Sequence, residues 1–335
     1  MSVAPMMDWT DRHCRYFLRG FSASALLYTE MITAAAILRG KRQRLLQFDP
    51  EEHPVALQLG GSEPADLAAA ARAGEEAGYD EINLTCGCPS ERVASGAFGA
   101  CLMLEAARVA DCVAAMRASV RIPVTVKMRV GVVNAHAGHA REEVTRFDER
   151  DFEALHGFVT AVRDAGCQVA IVHARKAILG GLSPKDNREI PPLRFDVVRR
   201  IKESVPELPI VLNGGIRDAD SARAALQWCD GVMLGREAYH RPFVLSELHR
   251  MLYPEDRQEP PSRDDLLERM ARYADRELAR GDRLPAITRH MLGLYGGQPG
   301  AREYRRHLSE GSRATGAGAQ LIRDAGTAVS RQRLS

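Results

Sequence analysis

Eight short apolar segments, separated by helical patterns, occupy the first 238 residues of the chain. Each is a near-continuous hydrophobic run, not an alternation of apolar and polar residues, and this is typical of strands buried on both faces of a parallel sheet. The predicted strands are residues 2–6, 26–32, 54–61, 81–85, 123–130, 169–175, 209–214 and 231–235. Such strands need a layer of helices over them, so this pattern constrains the fold most strongly.

The segments between the strands carry helix signals. The segment 64–78 is rich in alanine, begins with Pro64 and stops at Gly78. The predicted helices are residues 64–78, 105–120, 149–166, 196–205 and 218–229. Eight strands with intervening helices predict an α/β fold, a (β/α)8 TIM barrel. A doubly wound open sheet is the alternative, because periodicity does not show whether a sheet closes.

After about residue 243 the strand signals end and only helical patterns follow. Pro254, Pro260 and Pro261 mark the break between the two regions. We predict a barrel domain over residues 1–243 and a small all-helical C-terminal domain over 244–335. The helices predicted there are residues 245–252, 263–280, 286–293 and 302–308.

Composition points to a protein of a reducing compartment. The sequence has no run of 18 or more apolar residues and no basic N-terminal segment followed by an apolar stretch. The seven cysteines are an odd number without framework spacing. Cys86 and Cys88 form C-x-C, but no second Cys/His pair lies at zinc spacing. We therefore expect a cytoplasmic protein without a metal site. As a separate expectation, we predict a monomer.

Charge is distributed unevenly along the chain. The net charge is +2, yet residues 261–335 hold 14 Arg against 9 Asp and Glu, a net of +5, so the remainder is −3. A basic C-terminal region on a nearly neutral protein is typical of a polyanionic partner. A solvated helical surface explains the same count equally well.

Polar residues gather at the predicted strand ends, where the working residues of a barrel lie. Glycines after the seventh and eighth strands, with Arg236, fit the phosphate position of many barrels. Two tight turns with a structural arginine are the alternative. The candidate cofactor-binding residues are Pro5, Met6, Met7, Gln58, Lys127, His173, Asn213, Gly214, Gly215, Gly235 and Arg236.

Three of these residues suggest the ligand. Lys127 lies within an apolar strand and needs a partner. Two interpretations are open: Lys127 neutralises an anionic ring such as a reduced flavin, or it forms a Schiff base. The position of His173 at a strand end favours a ligand contact over a core role. Gln58 can hydrogen-bond to a planar heterocycle, and the alternative is that it is an ordinary buried amide. The set predicts a flat, phosphorylated cofactor, FMN. No G-x-G-x-x-G is present, so an integral nicotinamide-binding Rossmann unit is absent.

Cys88 follows the fourth strand on a turn rich in Gly and Pro. A thiol is mostly protonated at neutral pH, so one that faces a flavin site can supply the proton that accompanies hydride transfer. We predict that Cys88 is the catalytic proton donor. The remaining cysteines are predicted to be structural: Cys14, Cys86, Cys101, Cys112, Cys167 and Cys229.

Several stretches resemble the tRNA-dihydrouridine synthases, most closely the bacterial A-type enzymes, over essentially the whole chain. They are VAPMMDWTDRHCR at 3–15, NLTCGCPSERVASGAFGACLM at 83–103, VKMRVG at 126–131, HARKAILGGLSPKDNREIPPL at 173–193, LNGGI at 212–216, MLGREAYHRP at 233–242 and RHMLGLYGGQPGAREYRRHLS at 289–309.

The resemblance implies NADPH-supported, FMN-dependent reduction of the C5–C6 double bond of uridine in the tRNA D-loop, at positions 20 and 20a. It implies that Cys88 protonates C5 while N5 of reduced FMN gives hydride to C6, and that the candidate cofactor residues bind FMN. Matching tRNA contacts are Lys185, Arg188, Arg302 and Arg305. Thr85 stands where the family usually has Asn near the tRNA, so we expect an altered contact there without loss of activity.

Three other functions stay open. A Schiff-base aldolase acting through Lys127 would leave Cys88 and the basic C-terminal region unexplained. A non-catalytic tRNA-binding module or chaperone would tolerate loss of Cys88. A flavin dehydrogenase for a free pyrimidine or dihydroorotate would need no arginine-rich helices. The long loop 131–148 after the fifth strand is expected to border the active site.

Overall fold

The computed structural model describes residues 1–89, 98–134, 140–180, 182–183, 185–256 and 259–333. Within these ranges the strands are β1 Ser2–Val3, β2 Leu26–Tyr28, β3 Ile32–Thr33, β4 Val55–Gly60, β5 Glu81–Cys86, β6 Val124–Arg129, β7 Val132–Asn134, β8 Ala170–His173, β9 Ala177–Leu179, β10 Ile210–Asn213 and β11 Gly231–Leu234.

Eight of the strands form a closed parallel barrel. Their order is β2-β1-β11-β10-β8-β6-β5-β4, and β2 also pairs with β4, with Leu27 opposite Val55. This last pairing joins the two edges, so the predicted (β/α)8 barrel is confirmed and the doubly wound sheet is wrong. Each predicted apolar segment contains one barrel strand, because every barrel strand is covered by helices outside and by side chains inside.

Three short strands lie outside the barrel order and were not predicted. β3 pairs with the end of β4, with Thr33 opposite Gly60. β7 and β9 form a separate two-stranded parallel sheet, with Val133 opposite Ile178. These three strands are only two or three residues long, and the sequence pattern did not separate them from the loops around them.

The helices of the barrel region are α1 Arg12–Arg19, α2 Ala34–Arg39, α3 Arg42–Leu45, α4 Pro64–Ala77, α5 Ala106–Ser119, α6 Ala140–Thr145, α7 Glu149–Asp164, α8 Phe195–Ser204, α9 Ala219–Leu226 and α10 Arg236–His240. Residues Pro50–Glu52, Gly99–Leu104 and Asp186–Arg188 form 3₁₀ turns. α4 begins with Pro64 in its first turn and ends at Gly78, whose φ of 97° is the left-handed conformation of a helix cap. Pro64 and Gly78 thus mark the start and the end of this helix, as predicted.

The C-terminal region is helical, as predicted. Its helices are α11 Phe243–Leu252, α12 Arg263–Ala279, α13 Leu284–Thr288, α14 Ala301–Gly311 and α15 Gln320–Arg333. The helix predicted over 286–293 ends at Thr288, and the chain then turns so closely that a Cβ on Gly293 would lie 2.7 Å from the carbonyl oxygen of His240. α15 was not predicted. Phe243, at the predicted domain boundary, is the first residue of α11, and the division into two domains stays a prediction.

Polar contacts attach the C-terminal helices to α1 of the barrel. Arg12 pairs with Glu277 and Asp282, and the Tyr273 hydroxyl lies 2.8 Å from Nδ1 of His13. One apolar core runs from the outer face of the barrel strands into these helices. A second, smaller cluster fills the barrel interior and contains Ala4, Tyr28, Ala56, Ile171 and Met233. Among the helices of the described residues, none is long and apolar enough to cross a membrane.

A buried arginine holds the two strands that close the barrel. Arg19 donates hydrogen bonds to the carbonyl oxygens of Ser22, Ala23 and Ala25, which precede β2. It also donates to those of Glu52 and Pro54, which precede β4, at 2.8 and 2.9 Å. Burial lowers the pKa of Arg19 to about 10, so its guanidinium stays charged at neutral pH. These bonds align β2 with β4 at the closing seam.

We predict that Arg19→Met lowers the free energy of unfolding by about 3 kcal/mol, because it leaves several buried carbonyl groups without donors. Arg42→Met is the matched control, since Arg42 pairs with Glu76 on the surface, where the loss should stay below about 1 kcal/mol. Denaturant unfolding of the two variants measures the difference. Equal losses would contradict a role for Arg19 at the seam.

Candidate active site at the barrel mouth

The strand register brings the predicted polar residues to one end of the barrel. Asn213 lies opposite His173, and His173 lies opposite Arg129. Thr85 lies opposite Lys127 in the next strand pair, and Gln58 lies opposite Asn83 one step deeper. These residues alternate along their strands with residues of the outer core, so their side chains share the interior face. The carboxyl ends of the strands therefore form one polar mouth.

The mouth concentrates positive charge. Burial, together with the neighbouring Arg129, lowers the pKa of Lys127 to about 7. Burial also lowers the pKa of Arg129 to about 9, and it holds the pKa of His173 well below its usual value. No carboxylate of the described residues forms an ion pair with Lys127 or Arg129. Clustered cations without anions are costly for the folded protein, and an anionic ligand would offset that cost.

Arg129 and Arg175 belong to this cluster; both stand at predicted strand ends, although neither was among the candidate cofactor-binding residues. Arg129 donates hydrogen bonds to the carbonyl oxygens of Gly87, Lys176 and Asn187, at 3.2, 3.2 and 2.8 Å. Arg175 donates to the carbonyl oxygen of Pro191. Lys127 and Arg129 are two positions apart on β6, so their side chains lie on the same face of the strand. This spacing could have placed Arg129 on the interior face from the sequence.

The glycines of the last two loops leave room beside the mouth. Gly214 and Gly215 have φ of 98° and 80°, and a Cβ on them would lie 2.8 Å from Cδ2 of His173 and 2.7 Å from Cζ of Phe195. A side chain here would thus collide with the neighbours and strain the backbone. A Cβ on Gly235 would meet no atom within 4 Å, so this residue faces open space.

Two neighbouring candidates have protein partners. Nδ2 of Asn213 donates to the carbonyl oxygen of Met233 at 2.9 Å, which ties β10 to β11. Arg236 pairs with Glu189 at 2.6 Å, and both side chains are exposed. An exposed pair of this kind contributes little stability, so Arg236 can exchange Glu189 for an anionic ligand.

The β1 loop forms one edge of the mouth. Pro5 and Met6 are half-buried, while Met7 is 55% exposed. The loop is fixed by Thr10, whose Oγ1 accepts a hydrogen bond from the Met6 amide at 2.9 Å. Asp8 adopts a φ of 64°, so the backbone turns sharply and leaves Met7 exposed. This arrangement provides an apolar edge to a polar cavity.

The two cysteines of the C-x-C segment differ completely in environment. Cys86 ends β5 on the outer face, is fully buried, and has a pKa raised well above its usual value by burial. Cys88 is half-buried on the loop, and its carbonyl oxygen accepts a hydrogen bond from the Ala100 amide at 2.9 Å. Its thiol lies close enough to Lys127 and Arg129 to influence the pKa of both, so it faces the mouth. Residues 90–97 lie outside the described residues.

The other cysteines are buried or half-buried. Cys14, Cys112, Cys167 and Cys229 are buried, and burial raises the pKa of Cys112 to about 11 and that of Cys167 to about 12. Cys101 is half-buried and donates to the carbonyl oxygen of Phe98. These environments suit structural thiols. No group of three or more His, Cys, Asp or Glu residues that could hold a metal ion is found in the described part of the chain.

Below the mouth lies a buried polar network that sequence reasoning missed. We call Tyr28, Gln58, Glu81, Asn83 and Thr125, which are joined by hydrogen bonds, the Glu81 network. Burial raises the pKa of Glu81 to about 7, and the hydrogen bonds from Thr125 and Tyr28 oppose that shift. Glu81 and Thr125 each look like ordinary strand residues in the sequence, so only the register reveals their contact.

The predicted tRNA contacts form two separate groups. Lys185 and Arg188 are exposed on the loop after β9, which Asn187 anchors by hydrogen bonds with both the amide and the carbonyl of Ile178. Arg302 and Arg305 are exposed on α14, and neither forms an ion pair with any described residue. Thr85, by contrast, is buried in the mouth, where it lies opposite Lys127.

The loop 131–148 contains β7 and α6, while its residues 135–139 lie outside the described residues. β7 pairs with β9, which precedes the loop of Lys185 and Arg188. This part of the loop therefore stands beside the mouth, in line with the prediction that the loop borders the active site.

Comparison of the sequence with known proteins consistently points to one family. The family model described as "Dihydrouridine synthase (Dus)" matches residues 2–330. The chain is 53% identical over 325 residues to the tRNA-dihydrouridine(20/20a) synthase of Xanthomonas campestris, an alignment that covers 97% of this chain and 92% of the relative. The corresponding proteins of Pseudomonas aeruginosa and Vibrio cholerae are 54% and 50% identical, over 92% and 97% of this chain and 88% and 95% of their own lengths.

The match covers the barrel, the polar mouth and nearly all of the C-terminal helices, and the resemblance inferred from the sequence motifs is confirmed. The chain belongs to the dihydrouridine synthase family.

Proposed function

We propose that this protein reduces the C5–C6 double bond of uridine in the D-loop of tRNA, at positions 20 and 20a, with FMN as cofactor and NADPH as reductant. The observation that carries the proposal is the cationic mouth, in which Lys127 and Arg129 lie close to a half-buried thiol. The relatives at about half identity bear the name of this activity.

The residues present fit FMN. Lys127 would contact the ring system, because an anionic, electron-rich ring offsets its charge, and His173, with its lowered pKa, would contact the ring as a neutral hydrogen-bonding group. Gln58 and Asn213 supply amides for the ring edge, and Pro5, Met6 and Met7 supply the apolar edge. Gly214, Gly215 and Gly235 leave backbone amides open to a phosphate, with Arg236 as its cationic partner. Bound and reduced, FMN supplies the hydride to C6 of uridine.

Cys88 would hold and deliver the proton. Protonation at C5 requires an acid near the face of the base, and the thiol of Cys88 is the mouth thiol beside Lys127 and Arg129. A base inside folded tRNA is stacked, so it must leave the stack to reach this thiol. Thr85, near Lys127 in the mouth, would contact the extruded base with its hydroxyl group.

The remaining tRNA would lie across the loop of Lys185 and Arg188 and along α14. Exposed arginines without ion pairs, such as Arg302 and Arg305, are available for phosphate groups. Arg289 and His290, which follow α13, contact Asp11 beside the β1 loop and so connect the helical region to the mouth. We also propose that residues 1–243 form the cofactor domain, that 244–335 form the tRNA-binding domain, and that the protein acts as a monomer without a metal.

The first test is the absorbance spectrum of the purified protein, followed by anaerobic addition of NADPH and then of unmodified tRNA. A yellow protein that bleaches with NADPH and regains its colour with tRNA would support the proposal. The pKa of Lys127, about 7, also suits a Schiff base, so the aldolase is the second candidate. A colourless protein that does not take up FMN, and is trapped by borohydride with a carbonyl substrate, would favour it.

We predict that Cys88→Ala lowers turnover by about 100-fold to 10,000-fold, the usual contribution of a general acid, while FMN and tRNA still bind. Cys101→Ala is the matched control, because that thiol is also half-buried but donates to the Phe98 carbonyl oxygen, and this variant should keep its turnover. Single-turnover reoxidation of the reduced enzyme by tRNA measures the step. Full turnover in Cys88→Ala would remove Cys88 from the mechanism.

We predict that Lys127→Met weakens FMN binding by about 10- to 100-fold, through loss of a charged contact. The same change should stabilise the FMN-free protein by about 1–2 kcal/mol at pH 7, as expected where a site sacrifices stability for function. The folded-state pKa of Lys127, about 7, lies below that of the unfolded chain, 10.5. Burial of the Lys127 charge therefore lowers the free energy of unfolding by its full amount below pH 7, and this loss decreases as the pH rises toward 10.

Thermal unfolding of the FMN-free wild-type and Lys127→Met proteins from pH 6 to pH 10 tests the predicted direction of this pH dependence. The gap in Tm should narrow steadily with rising pH. A constant gap, or a variant less stable than the wild type, would contradict an uncompensated Lys127 cation.

We predict that Arg302→Ala and Arg305→Ala weaken tRNA binding and each reduce the slope of log Kd against log salt concentration by about 1, as expected for phosphate contacts. Arg272→Ala on α12 is the control, because Arg272 is also exposed but pairs with Glu268. Binding to tRNA at several salt concentrations provides the slopes. An unchanged slope in both α14 variants would exclude α14 from the tRNA surface.

A further inference from the structure

Four hydrogen bonds join the members of the Glu81 network inside the barrel. The Tyr28 hydroxyl and Oγ1 of Thr125 both donate to Oε1 of Glu81, the latter at 2.6 Å. Nδ2 of Asn83 donates to Oγ1 of Thr125 at 2.8 Å, and Nε2 of Gln58 donates to Oδ1 of Asn83 at 2.8 Å. All five side chains are buried. The network thus runs from the apolar floor of the barrel to the mouth.

Glu81 determines the direction of every bond in this network. Oε1 receives two hydrogen bonds and so acts as an acceptor in either protonation state of the carboxyl group. The hydroxyl of Thr125 has one proton, which it gives to Glu81, and it must therefore accept from Asn83. Asn83 then points its nitrogen at Thr125 and its oxygen at Gln58. Gln58 in turn donates through Nε2, and its Oε1 takes no part in the network.

We propose that Glu81 is a positioning residue: through Thr125 and Asn83 it fixes the side-chain amide of Gln58, so that Oε1 of Gln58 is presented to the cofactor as a hydrogen-bond acceptor. This inference rests on the proposed function, because it assumes that FMN binds at the mouth. A ring N–H is the complementary group, and a reversed amide would present a second donor to it. A buried network with one allowed direction selects a single ligand edge.

The test is the affinity of the FMN-free protein for FMN, measured by quenching of flavin fluorescence. Glu81→Met and Thr125→Val each remove the group that fixes the direction of the network, and each should raise Kd by about five- to tenfold. Glu81→Gln and Thr125→Ser keep the acceptor and the hydroxyl, and they should stay within about twofold of the wild type. Thr160→Val is the control, because Thr160 has a buried hydroxyl without a partner on α7, outside the network.

A double-mutant cycle with Gln58→Leu separates positioning from general loss of structure. If Glu81 acts through Gln58, Glu81→Met should add no further loss of FMN affinity once Gln58 is removed. Additive losses, or wild-type Kd values for both Glu81→Met and Thr125→Val, would overturn the inference. So would an equal loss in Glu81→Gln and Glu81→Met, because it would show that charge and not direction matters.

The wild-type protein distinguishes this inference from the proposed function. FMN binding by the wild type, with unchanged affinity in the network variants, would remove only the role of Glu81. No FMN binding by the wild type would remove the proposed function itself. Thermal unfolding of each FMN-free variant checks that it is folded, and Thr125→Val, which changes one hydroxyl to a methyl group, decides the case if Glu81→Met does not fold.

Discussion

Closure of the barrel between β2 and β4 is the constraint on which the rest of the structure depends. The two strands are short at their point of contact, with Leu27 and Tyr28 opposite Val55 and Ala56. Arg19 donates hydrogen bonds to the carbonyl groups that precede both strands, so a single buried cation aligns the two strands where the barrel closes. Without closure, the carboxyl ends of the strands would spread along an open edge, and the polar side chains of the mouth would not converge.

Convergence has an electrostatic consequence. Lys127, Arg129 and His173 come from adjacent strands. In addition to burial, Arg129 lowers the pKa of Lys127, and Arg129 and Lys127 both lower the pKa of His173. A cluster of apolar side chains lies in the barrel interior, so the charges of the mouth are poorly screened. A site of this kind lowers the stability of the protein alone and gains from an anionic ligand, which agrees with the proposed cofactor.

The helical region is tied to the same mouth. α1 follows the β1 loop, and its residues Arg12 and His13 contact Glu277 and Tyr273 of α12. Asp11, at the start of α1, accepts a hydrogen bond from Arg289 beside α13, and these contacts hold the pKa of Asp11 below its usual range against the effect of burial. The proposed tRNA surface of α14 is therefore fixed relative to the cofactor site by polar contacts with the first helix of the barrel.

The sequence by itself determined the eight strands, five of the helices between them and the residues at the strand ends, because buried parallel strands and helix caps leave local signals such as Pro64 and Gly78. Only the tertiary structure decided closure, the short strands β3, β7 and β9, and the partners of the polar residues. Arg129 and Glu81 acquire their roles from neighbours 40 or more residues away, such as Gly87, Lys176 and Thr125. Such contacts depend on strand register, and register follows from the packing of the whole barrel.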